Sequence, residues 1–286
     1  MAIGGKTRLE NNFEGKKVGL FSSNVIAVNP DREQYKELLG MDLGDESRAD
    51  VYLGESKEGN TSLRVSFWLE EVKTKQKFNV TFFLENKEKT NKDNTKKQYI
   101  NTLGSCSWSD DPNNLPDWFK KREYRVAFVG EEDLYNFMRT WLGKLDYKDA
   151  DAVLDLEWKK LMKGDVKLIR SLIGGDLATE VVALATVKTV EKEGETKEYQ
   201  AVYNKAFLPS FALKQFRVVD YNKPEEQAKL KTKKSSDLKP HERFVLNCIG
   251  DYGVKDFYKF CDLKEYDPAD NLVASNEPIS TDGADY

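Results

Sequence analysis

The sequence predicts a β-rich chain, either α+β or an all-β barrel with a helical insertion. Two neighbouring segments alternate apolar and polar residues with a period of two. Helical apolar stripes are confined to the middle of the chain, and strand-like segments return after them. The 286 residues suffice for one large domain or two small ones. Mean hydropathy is −0.67 and 33% of residues are charged, yet five Trp, 13 Tyr and 15 Phe supply a core.

In chain order, "KKVGLFSSNVIAV" (16–28) and "ADVYLGE" (49–55) read as strands. In "SLRVSFWLEEV" (62–72), Leu63, Val65, Phe67 and Leu69 share one face, while Arg64, Ser66, Trp68 and Glu70 share the other. "KFNVTFFLENK" (77–87) places Phe78, Val80, Phe82 and Leu84 on its apolar face. The turn "KTKQ" closes a hairpin, expected to pair Phe67 with Phe82. Arg64, Trp68 and Phe83 then lie on the opposite side, the two aromatics as diagonal neighbours.

"GEEDLYNFMRTWLGKL" (130–145) opens with acids suited to a helix N-terminus and places Leu134, Phe137, Met138, Trp141 and Leu145 on one stripe. "DAVLDLEWKKLMKGDVKLIRSLI" (151–173) reads as one helix or two, broken at Gly164 and Asp165. A second hairpin joins 180–190 to 197–207 through "EKEGET", and "RFVLNCI" (243–249) reads as a late strand. Residues 85–98, 222–240 and the chain beyond Glu265 read as poorly ordered, being charged or Pro-bounded and without periodicity.

The expected organisation is one domain over residues 1–260. It is β-rich over 16–128, has a helical insertion at 130–173, is β-rich again over 180–220, continues through a linker at 222–240 and closes at 241–260. An acidic flexible tail follows at 265–286. Net charge is −4, and the tail holds six carboxylates without a Lys or Arg, so the preceding residues together carry +2. Such asymmetry points to a charge-governed partner. Cys106, Cys248 and Cys261 are odd in number and far apart, which argues against a disulfide framework and for a reducing compartment. No apolar run approaches 18 residues, and "MAIGGKTRLE" lacks the hydrophobic stretch of a signal peptide, so an intracellular protein without a membrane partner is expected.

Catalytic signals are sparse. "GGKT" (4–7) lacks the earlier glycine of a phosphate-binding loop, and GxGxxG, GxSxG and HExxH do not occur. The single histidine, His241, reads as a solvated loop residue rather than a catalyst. His241, Cys248 and Cys261 lack the close Cys pair of a zinc site. "SWSDDPNNLPDW" (107–118) offers Asp110, Asp111, Asn113, Asn114 and Asp117, but without the ordered spacing of a calcium loop; a turn is the plainer reading. No metal, cofactor or enzymatic activity is expected.

Aromatic residues interleaved with bases stand out. Lys96 and Lys97 precede Tyr99, with Trp108 downstream, and Trp118, Phe119, Tyr124 and Phe128 surround Lys120, Lys121, Arg122 and Arg125. Proteins that hold unpaired nucleic acid use this combination: cations follow the phosphates and flat rings stack on bases, at roughly 1–3 kcal/mol per base. For Phe119 and Phe128 a core position is the better reading. Trp68 and Phe83 differ, because alternation turns them away from the main apolar face. The candidate contacts are therefore Arg64, Trp68, Phe83, Tyr99, Trp108 and Trp118 for bases and cation contacts, with Lys96, Lys97, Lys120, Lys121, Arg122 and Arg125 for phosphates.

The blocks "QYINTLGSCSWSDDPNNLPDWFKKREYRVAFVGEEDLYNFMRTWL" (98–142) and "LKPHERFVLNCIGDYGVKDFY" (238–258) resemble the replicative single-stranded DNA-binding proteins of crAss-like tailed phages. The resemblance spans most of residues 10–260. It implies an OB-type β-barrel core elaborated by helices, single-stranded DNA as partner, and action in phage replication or recombination in the cytoplasm of the infected host. It also implies an acidic C-terminal tail; from its charge, that tail is expected to compete with DNA for the basic groove and, once displaced, to recruit replication proteins. Two other readings stand beside it. One is a non-enzymatic phage structural or packaged protein using aromatic loops for protein contacts. The other is a hydrolase or nuclease employing the Asp110–Asp117 carboxylates with Mg²⁺.

Overall fold

The computed structural model describes residues 16–40, 53–55, 61–85, 88–90, 96–102, 105–109, 125–126, 128–143, 153, 160, 166–192, 194–234 and 237–271. It is a mixed α/β structure built on a seven-stranded antiparallel sheet and a smaller four-stranded one. In the main sheet, β1 (Gly19–Val28) pairs with β3 (Thr61–Glu71) on one side and β9 (Val181–Lys192) on the other. β3 also pairs with β4 (Lys77–Glu85) and the short β2 (Leu53–Glu55). β9 pairs with β10 (Glu195–Val202) and the short β11 (Leu208–Pro209).

The main path is therefore β10–β9–β1–β3–β4. Its end strands, β4 and β10, approach within 8 Å between Cα atoms. No hydrogen-bonded ladder joins them among the described residues, so the sheet is curled but not closed into a barrel.

The first hairpin forms as the alternation predicts, with its register two residues from the expected one: Phe67 opposes Val80, and Val65 opposes Phe82. A two-residue slip preserves the faces, so all the apolar side chains still point inward. It also places Trp68 opposite Asn79 and Phe83 opposite Arg64, so Trp68 and Phe83 are not diagonal neighbours. In β1 the register shifts between Val25 and Ala27. The extra residue of this bulge turns Ala27 to the outer face and Val28 to the inner one.

Two cores flank the sheet. On the concave side, Phe21, Val65, Phe67, Leu69, Val80, Phe82 and Leu84 pack against α2 (Glu131–Trp141) and α3 (Lys167–Ser171). Phe137 of α2 lies 4.5 Å from Phe67 and 4.7 Å from Phe207, ring to ring, and Trp141 lies 6.0 Å from Phe67. Each such side chain contributes roughly 1.5–3 kcal/mol on burial. The predicted stripe of α2 is therefore a core stripe; Leu145, and most of the predicted helix 151–173, lie outside the described residues.

The second core lies on the convex side of β9. Val182 and Leu184 meet a layer formed by a 3-10 helix (Ser210–Arg217), α4 (Pro224–Thr232), α5 (Pro240–Tyr252) and α6 (Phe257–Phe260). Three sequence expectations change here. The expected strand 243–249 is the body of α5: Pro240 occupies its first turn, the Glu242 carboxylate accepts the Lys239 amide at 3.0 Å, and Phe244, Val245 and Cys248 form a helical stripe. The expected linker contains α4, held by buried Leu230 and by Gln227, which donates to the Tyr221 carbonyl at 2.9 Å. The tail does not begin at Glu265: the Arg217 guanidinium donates to the Glu265 carbonyl at 2.9 Å and lies over the Tyr266 ring, and a short helix follows at Pro268–Asn271. Residues 272–286 lie outside the described residues.

Part of the expected loop 85–98 forms strands of the second sheet, which contains β5 (Glu88–Thr90), β6 (Lys96–Thr102), β7 (Ser105–Ser109) and β8 (Arg125–Val126). β6 is central, pairing with β7 along one edge and with β5 and β8 along the other. A bridge between Glu85 and Val129 leads from β4 into α2. Among the described residues, no helix is long and apolar enough to cross a membrane.

Candidate functional site

The convex face of β3 and β4 bears Arg64, Ser66, Trp68, Asn79, Thr81 and Phe83. Its polar middle is internally satisfied: the Ser66 and Thr81 hydroxyls are 2.7 Å apart, and Thr81 donates to the Asn79 side-chain amide oxygen at 2.8 Å. Asn29, at the end of β1 with a left-handed φ of 39°, locks β1 onto β3. Its side chain donates to the Arg64 carbonyl at 3.0 Å and accepts the Ser66 amide at 2.6 Å. Asn is one of the few non-glycine residues that adopt this conformation readily, because its short polar side chain bonds locally.

Phe83 is 64% exposed, with Arg64 directly opposite in the ladder. A phenyl ring in water on a central stretch of strand loses the burial energy that places most Phe in cores. Trp68 is a correction. Alternation assigns it to the convex face, and it lies there, but it is only 3% exposed. α1 (Arg32–Leu39), started by an Asp31–Gln34 capping box and ended by Gly40, covers it. Tyr35 meets the indole edge-on, with centroids 5.9 Å apart, and Ala27 and Ile26 complete the cluster. The indole N–H is buried and has no hydrogen-bond partner among the described residues. A sealed ring cannot stack on a base, so Trp68 is a packing residue in this structure.

The second sheet brings four other candidates into register. Tyr99 on β6 is the direct cross-strand partner of Trp108 on β7. Lys97 precedes Tyr99 by two residues on β6, and Arg125 on β8 pairs with Asn101. Lys96 opens β6, opposite Thr90 of β5. Trp118, Lys120, Lys121 and Arg122, with the Asp110–Asp117 cluster, lie outside the described residues.

Gly130 connects the convex face to α2. Its φ is 90°, and a Cβ there would lie 2.3 Å from the Phe83 carbonyl oxygen, so only glycine fits. The first turn of α2 therefore sits against the strand that presents Phe83. Within that turn, burial pushes the Asp133 carboxyl up to about 6, opposed by Lys205 and reinforced by Glu132 and Asp251. Burial likewise raises Glu132, against the pull of Arg243.

His241 also departs from expectation. It lies in the first turn of α5, buried between Phe216 and Tyr221, and burial lowers its pKa. Cys248 and Cys261 are free and fully buried; their mutual hydrogen bond and then burial push the Cys248 thiol far up, away from the reactive thiolate. Among the described residues, no group of three or more His, Cys, Asp or Glu side chains could hold a metal ion. Comparison of the chain with protein-family models, curated proteins and solved structures finds no match.

Proposed function

We propose that this protein binds single-stranded DNA without sequence preference and performs no chemistry on it. The observation that carries the reading is the exposure of Phe83 on a sheet surface with Arg64 opposite. A flat ring held on a rigid strand beside a cation is what an unpaired nucleotide requires: π-face for base and positive charge for phosphate. The register pair Tyr99 and Trp108, with Lys97 and Arg125 at nearby positions of the same sheet, supplies the same residue types. The bound strand runs along the convex face of β3–β4 and onto that sheet.

An OB-type core is part of the proposal. In its favour is the strand order β10–β9–β1–β3–β4, with α2 between the third and fourth long strands and packed against the concave core. Successive antiparallel pairings point β4 and β10 in the same direction, as neighbours across an open seam, and partly open five-stranded barrels are characteristic of that fold. The role in phage replication, and the recruitment of replication proteins by the acidic C-terminal residues, rest on the sequence resemblance.

The test is titration of the intrinsic Trp fluorescence with oligothymidylate, oligouridylate and duplex DNA at two salt concentrations. Salt-sensitive saturation by single strands, with weaker binding of duplex, is expected. No response to any single strand would refute the reading.

A further inference from the structure

A cleft of about 290 Å³ opens on the convex side of β9 and β10, lined by Lys188, Tyr203, Asn204, Lys205, Asp251 and Tyr252. Its walls come from β9, the segment after β10 and the last turn of α5. The one carboxylate is already engaged: Asp251 accepts the Tyr203 hydroxyl at 2.9 Å and pairs with Lys205 at 3.1 Å. Lys188 is exposed and has no carboxylate partner among the described residues.

Tyr252 is 40% exposed, and its ring is braced by Tyr203 at 5.2 Å and Phe260 at 5.3 Å, so an open aromatic face is held in place. Directly across the ladder from Lys188 stands Tyr199, itself 52% exposed. Two exposed rings thus flank an unpaired cation, on a surface that the sequence patterns did not single out.

We propose that this cleft holds a further nucleotide of the bound single strand, with Lys188 and Lys205 toward the phosphate and Tyr252 and Tyr199 toward the base. The inference rests on the single-strand reading above and extends the strand's path. The path follows from α2: Gly130 sets its first turn against Phe83, and Asp133 in that turn lies within electrostatic reach of Lys205 and Asp251. The first turn of α2 thus neighbours the Phe83 backbone and, through Glu132 at 4.0 Å from Arg243, the helix whose last turn walls the cleft. A strand crossing that turn meets both Phe83 and the cleft.

The test uses the full chain and oligothymidylates of increasing length, comparing wild type with Lys188→Ala, Tyr199→Ala and Lys188→Glu. These side chains are exposed, so unchanged thermal unfolding is expected and is checked first. Each variant should weaken binding of long oligomers by about tenfold and leave the shortest bound oligomers unaffected, because only a longer strand spans both places. Lys188→Ala should also lower the salt slope by about one. Wild-type affinity for long oligomers in all three variants would overturn the cleft while leaving the Phe83 face intact. Absence of binding by the wild type would overturn both.

Discussion

Tyr35 of α1 meets Trp68 of β3 edge to face at 5.9 Å, and this contact turns the most conspicuous ring of the convex face into part of the interior. Most of the other described side chains of α1 are exposed, and Tyr35 is the one packed against Trp68. Trp68→Ala should destabilise the fold by about 3–5 kcal/mol, the range for deleting a large buried aromatic. Denaturant unfolding measures this. An unchanged midpoint would show that the indole is not packed as described.

Phe83→Ala should do the opposite. The ring is exposed, so stability should hold within about 0.5 kcal/mol. Affinity for oligothymidylate should fall by roughly tenfold, the loss of one stacking platform. Retained affinity would remove Phe83 from the interface.

Gly130→Ala tests the junction between β4 and α2. The new methyl would meet the Phe83 carbonyl, and φ of 90° is unfavourable for any L side chain. A loss on the order of 2–4 kcal/mol is expected, visible in urea unfolding. A neutral substitution would contradict the close approach.

Asp133 should make stability depend on pH. Burial holds its folded-state pKa at about 6, well above the usual aspartate range. Below about pH 4 the carboxyl is protonated in both states and costs nothing. As pH rises toward and past 6, the unfolded chain has already ionised while the folded chain resists, so stability falls by on the order of 3 kcal/mol. Glu132, also raised, acts in the same sense. Asp133→Asn should flatten much of this decline between pH 4 and 7, measured by unfolding at a series of pH values. An equally steep decline in the variant would assign it to other groups.

Removal of residues 272–286 tests the tail. That segment holds Glu277, Asp282 and Asp285 and no base, whereas residues 265–271 are tied to the body through Arg217. Truncation after Asn271 should leave thermal stability unchanged and tighten oligothymidylate binding at low salt, because a competing polyanion is gone. The gain should vanish at high salt. Equal affinity at low salt would refute competition.

Much of the framework was legible from local pattern. A period of two placed Val65, Phe67, Phe82 and Leu84 on one face of a hairpin, and a 3.6 period placed Leu134, Phe137, Met138 and Trp141 on one stripe of α2. Residues 243–249 read as a strand because Phe244, Val245 and Cys248 fall in a short apolar run that suits a strand or a helix. Pro240 and Glu242, the residues that start the helix, precede the run. The docked start of the tail was hidden because composition reports what a segment can bury by itself, not that Arg217 waits for Tyr266. The cleft at Lys188, Lys205 and Tyr252 draws on three separate segments, and no spacing along the chain marks it.

The sequence by itself determined which side of each strand Trp68 and Phe83 occupy, because alternation follows from the geometry of an extended backbone. Tertiary structure alone decided their accessibility. A helix from 33 residues earlier in the chain lies over Trp68, while Gly130 packs against the backbone of Phe83 and leaves its ring in water. Periodicity is a local property of the chain, whereas exposure depends on which distant element packs on a face. For these two rings, that packing separates a core residue from a candidate binding surface.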